Sequence, residues 1–162
     1  MFEGLLQHFH NLGLEPHPGV CLIAGGLLAA LTRGVWRKLV LLAFPVLALL
    51  LMSLVHPGME MTFPFMGTAL RVMEVSSTGL VFGWVFCLVA FLGTVYALHV
   101  RPGLDHFSAL VYAGAALGVV LAGDWITVFI FWEVMGAAST LLIWCGRSNR
   151  ATAAGYRYEV LN

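Results

Sequence analysis

Five apolar runs dominate the chain, at residues 19–32, 39–55, 79–98, 107–122 and 125–145. Glu133 is the one Asp, Glu, Lys, Arg or His inside any of them. A backbone placed in hydrocarbon must satisfy its own N–H and C=O groups, so runs of this kind are committed to helices. A helix crosses the hydrocarbon layer with roughly twenty residues. The first and fourth runs are short by that standard, and their flanks are expected to lengthen them. Chain breakers stand between the runs: Pro57-Gly58, Pro102-Gly103 and Gly123-Asp124. Pro45 lies inside the second run and predicts a kink there.

Composition agrees. Of 162 residues 60% are hydrophobic and 10% are charged, and the mean hydropathy is +0.93. Sixteen charges cannot cover a water-facing surface, since soluble domains carry about 25% charged residues. Soluble globular and disordered classes are excluded. The expectation is an all-α, polytopic transmembrane bundle of about five spanning helices, multi-pass in a cell's inner (plasma) membrane. The eight basic residues balance the eight acidic ones, so nothing points to nucleic acid.

The basic residues also predict orientation. Arg33, Arg37 and Lys38 follow the first run, Arg101 the third, and Arg147, Arg150 and Arg157 the fifth. An even number of crossings separates these groups, so they share one side, and only Arg71 lies opposite. The positive-inside bias puts the N-terminus outside and the C-terminus in the cytoplasm. The resulting organisation is an external lead-in at 1–18, three transmembrane helices in 19–98, a fourth and fifth in 99–146, and a cytoplasmic basic tail at 147–162. The lead-in has no positive region of the kind that opens a secretory signal. Leu5, Leu6, Phe9, Leu12 and Leu14 suggest an interfacial face, and His8, His10 and His17 are expected to be solvated. His56, His99 and His106 are placed at helix ends or in loops. Cys21, Cys87 and Cys145 fall one per run, which suggests neither a disulfide framework nor zinc. Residues 59–75 alternate weakly, as a short hairpin would, but Pro64 argues against a paired strand and favours a plain external loop.

Glu133 lies eight residues past Trp125, about 12 Å below the outer boundary at 1.5 Å per residue, and so near the middle of a ~30 Å hydrocarbon layer. A charge at that depth costs about 2.5–3.5 kcal/mol on insertion scales. Protonation or a counter-cation reduces that cost, and a group alternating between the two is a proton-binding site. The plainer alternative is a permanently neutral Glu that hydrogen-bonds a neighbouring helix. Its helical neighbours Phe129, Ile130, Gly136, Ala137 and Thr140 include small and hydroxylic residues, which suggests a packed interior. Gly114 and Gly118, at GxxxG spacing with Ala113, Ala115 and Ala116 beside them, mark a packing face on the fourth helix, and Gly136 another on the fifth. Thr140, Asp124 and Glu74 are accessory candidates. No metal site, catalytic site or cofactor ligand set is legible, so the chain shows no enzyme chemistry of its own.

The stretch from Asp124 through Glu133 to Leu142, then Arg147, Arg150, Ala151, Ala153, Ala154 and Tyr156-Arg157-Tyr158, resembles the antiporter-like membrane subunits. These are shared by Mrp-type multisubunit sodium/proton antiporters, respiratory complex I and membrane-bound hydrogenases. Ser76-Ser77 and the Tyr96-Ala97-Leu98-His99 ending of the third run are similar to the helix before that module, and Glu74 takes a place where the family often carries Asp. The resemblance covers about the last ninety residues. It implies a fourteen-helix fold with two inverted five-helix repeats. In that fold a Glu on the fifth helix, here Glu133, pairs with a membrane Lys on a later, broken helix to couple proton movement to cation exchange or distant redox chemistry. The membrane Lys residues, the broken helices and the second repeat have no counterpart up to Asn162. The expected partners are therefore other membrane subunits, one supplying a membrane-embedded Lys, together with protons, monovalent cations and the lipid bilayer. A truncated gene product is the other source of that gap. The expected function is a proton- or cation-translocating subunit of such a complex, against the alternative of a non-transporting assembly subunit.

Overall fold

The computed structural model describes residues 17–99, 103–146 and 149–161. The proposed lead-in face with His8 and His10, together with Arg101 and Arg147, lies outside those residues. In chain order the described elements are α1 (Pro18–Leu31), α2 (Gly34–Met52), β1 (Glu60–Phe65), β2 (Thr68–Glu74), α3 (Ser77–Ala97), α4 (Gly103–Leu121), α5 (Trp125–Trp144) and α6 (Asn149–Leu161). The protein is mostly helical. Four helices, α2 to α5, are long and apolar enough to cross a bilayer. Their 19 to 21 residues span about 30 Å at 1.5 Å each.

The fourth run lengthens as expected, because its helix starts at Gly103 and takes in Asp105 and His106. The first does not. Its 14 residues span about 21 Å, and both ends are closed off. His17 caps the start, with Nδ1 accepting from the N–H groups of Gly19 (3.0 Å) and Val20 (3.4 Å), and Pro18 occupies the first turn. At the other end the Arg37 Nε donates to the carbonyls of Ala29 (3.1 Å) and Thr32 (2.9 Å), a cation on the helix's negative pole. Gly34 at φ +60° then turns the chain into α2, a backbone state open to glycine.

His17 is therefore not solvated. It is 3% exposed and stacks on Phe131 with ring centroids 5.6 Å apart. Its Nε2 has no hydrogen-bond partner among the described residues. Phe131 is six residues into α5, so the cap lies about 9 Å inside the Trp125 end of that helix. Sequence alone hides this placement because the partner ring arrives more than a hundred residues later.

The 59–75 segment is a hairpin, not a plain loop. β1 and β2 pair antiparallel from Phe65↔Thr68 to Glu60↔Glu74, with an irregularity between Met61 and Thr62. Met66 (φ 48°) and Gly67 (φ 81°) form the two-residue turn, the left-handed pair that matches strand twist. Pro64 is tolerated because each strand of a two-stranded sheet is an edge. Leu70, Met73 and Val75 are buried, and the hairpin closes one end of the bundle.

α4 is the hub, packed against α1, α3, α5 and β2, and it is the most buried of the four long helices. Gly114 and Gly118 allow this. A Cβ on Gly114 would stand 2.5 Å from the Gly19 carbonyl oxygen, and one on Gly118 would run into the Phe131 ring. Leu22, Leu41, Met52, Met73, Cys87, Leu117 and Leu121 form the core. Outside it, Leu31, Val35, Trp36, Val81, Val89 and Ile126 are more than half exposed. An apolar surface this extensive suits hydrocarbon and would be a liability in water. Trp125 and Trp144 stand exposed at the two ends of α5, as aromatic anchors do at membrane–water boundaries.

Candidate functional site

α5 is apolar around its whole circumference, so its buried face is set by its neighbours and not by its own pattern. Asp124 starts it, accepting from the Thr127 N–H at 2.8 Å and the Thr127 hydroxyl at 3.0 Å. Thr127, Phe131 and Ala138 are buried on the side that meets α4. Glu133 is on the opposite side, exposed beside Phe129, Ile130, Trp132 and Ala137. It makes no hydrogen bond or ion pair to any described residue. The packed interior expected around it is not formed by the described residues: 100° per residue turns Glu133 away from α4.

The side of α5 that carries Glu133 is covered lower down by α6. Within the segment expected to be a basic tail, Asn149–Leu161 form α6, which runs back antiparallel along α5. Gly155 sits flush against the Trp144 indole, Tyr156 packs on that ring at 5.5 Å, and Glu159 reaches Thr140. The Thr140 hydroxyl stands between the Gly136 carbonyl, at 3.1 Å, and a carboxylate oxygen of Glu159. Thr140 and Glu133 are seven residues apart, two turns on one stripe, about 10 Å along the axis. Two carboxyl groups thus share one side of α5, near its middle and near its lower end. In the sequence Glu159 is legible only as an oddly placed acid. No spacing in the sequence points to it, because its partner Thr140 is on another helix, nineteen residues earlier.

The other accessory candidates gather at the far end. Glu74 forms an ion pair with Arg71 at 2.7 Å, both side chains well exposed. The Arg71 N–H donates to Asp124 at 2.5 Å, and the Gly123 N–H returns a bond to the Arg71 carbonyl at 2.9 Å. A Cβ on Gly123 would stand 2.7 Å from those of Arg71 and Glu74. Asp124 therefore caps α5 and clasps the hairpin at once. The Thr127 N–H is the main cause holding its carboxyl below the usual carboxylate range. Slight burial opposes that shift, and the Arg71 N–H adds to it. The structure brings Asp124 and Glu74 together, and Thr140 with Glu159, but does not bring either pair to Glu133. No group of three or more His, Cys, Asp or Glu able to hold a metal occurs among the described residues.

Compared with protein-family models and with curated proteins, the chain matches none.

Proposed function

We propose that this chain is a proton- or monovalent-cation-translocating subunit of a larger membrane complex, with Glu133 as the proton site. The observation that carries the reading is a carboxyl with no partner among the described residues, facing outward from the bundle near the middle of a membrane-length helix. Left against lipid tails it would be costly as an anion, so it calls for a partner surface. A membrane-embedded Lys from another subunit is the mate that would let it alternate between charged and neutral forms. The resemblance of residues 124–158 to antiporter-like subunits supports that reading. So does Thr140–Glu159, which offers a second carboxyl on the same stripe toward the basic side. Within it the chain spans the inner (plasma) membrane about five times, α1 completing the count, with its N-terminus outside.

The test is coupled transport by the assembled complex. Glu133→Gln keeps the shape and a hydrogen-bonding amide, so assembly should persist while transport is abolished. Transport at the wild-type rate would overturn the proposal. The exposed position of Glu133 equally suits a second role, an interhelical hydrogen bond in a subunit that transports nothing. There Glu133→Gln would be silent and Glu133→Leu would break the complex.

A further inference from the structure

Away from Glu133, two cavities adjoin. The first, of about 460 Å3, is an apolar groove over α4 between α3 and α5. Small residues open it, among them Gly93 and Ala97 on α3 and Ala113 on α4, and Phe86 and Met135 wall it. The second, of about 500 Å3, lies at the end of the groove and is lined by Arg37, Lys38, His99 and His106 with Gly34 and Leu98. Leu41 and His106 line both, so the apolar groove and the basic mouth meet at these two side chains.

The dimensions and charges select an occupant. From Phe86 to Ala97 the groove runs about 16 Å along α3, half of a ~30 Å hydrocarbon layer and so the depth of one leaflet. No carboxylate is among the described residues lining the mouth. Arg37 is held in place by its bonds to the Ala29 and Thr32 carbonyls, and Lys38 is exposed beside it. Basic pockets between membrane helices on the positive side are suited to anionic headgroups.

We propose that groove and mouth together form a binding site for an anionic phospholipid of the leaflet on the Arg37–Lys38 side. One acyl chain lies in the groove and the phosphate sits in the mouth.

The full chain in nanodiscs of phosphatidylcholine and phosphatidylglycerol, released for native mass spectrometry, tests it. Phosphatidylglycerol should be retained in preference to phosphatidylcholine, and added inorganic phosphate should not displace it. Lys38→Gln should cut the preference about fivefold, the effect of removing one basic residue near an anionic surface. Gly93→Leu fills the groove at a point where an added Cβ meets nothing within 4 Å, so the helical circular dichroism should be unchanged while both lipids are lost. Equal retention of the two lipids, displacement by inorganic phosphate alone, or wild-type retention by Gly93→Leu would each overturn the proposal. A protein helix found cross-linked into the groove would do the same.

Discussion

Asp124 holds two elements with one carboxylate, so its removal should be felt in both. Loss of an N-cap costs about 0.5–2 kcal/mol, and Asp124→Ala should lower the thermal unfolding temperature in detergent accordingly. The pH dependence has a definite sign. The folded carboxyl sits below its unfolded value, so its contribution is complete above the unfolded pKa and is lost as pH falls through the folded one. Acid titration of the unfolding temperature should therefore show a decline in the wild type that Asp124→Ala lacks. Glu133 sits at the other extreme. No described residue bonds to it, and its substitution by Gln should leave the isolated chain's stability within about 0.5 kcal/mol of wild type, as for exposed positions away from special features. The same change should remove function in the complex.

Among the elements, the α4–α5 contact depends on Gly118 being bare against Phe131. Gly118→Leu should cost about 1–3 kcal/mol as an overpacked contact, read by thermal unfolding, whereas Gly93→Leu should cost little. α6 is tethered by Glu159 to Thr140 and by Tyr156 to Trp144. Thr140→Val should raise amide hydrogen exchange in α6 without affecting α4. How much of this the sequence discloses follows from what each element depends on. Helices α2 to α5 are legible because twenty apolar residues have few other options. The hairpin is hidden since Pro64 reads as a strand breaker until the sheet is known to have only edges. α6 reads as a tail because its polar composition carries no apolar run, and it folds back through three residues whose partners lie on α5. The outward direction of Glu133 is illegible, for a helix apolar all round gives no hint of which side its neighbours will take. The burial of His17 is hidden for the same reason, as it depends on Phe131 from a distant helix.

At the scale of the whole molecule the hairpin and the α2 mouth lie at opposite ends of the bundle. A cysteine at the exposed Thr62 should react with an impermeant maleimide from outside intact cells. One at the exposed Ala153 should react only after permeabilisation. The reverse pattern would invert the proposed orientation. The two tryptophans of α5 have a further consequence. Trp125 and Trp144 are nineteen residues apart, about 28 Å, close to the ~30 Å thickness of an average hydrocarbon layer. A helix anchored at both ends with so little slack answers hydrophobic mismatch by tilting or by deforming the lipid around it. Either response changes how deeply the carboxyl between those anchors is immersed, so lipid chain length sets how far Glu133 stands from water.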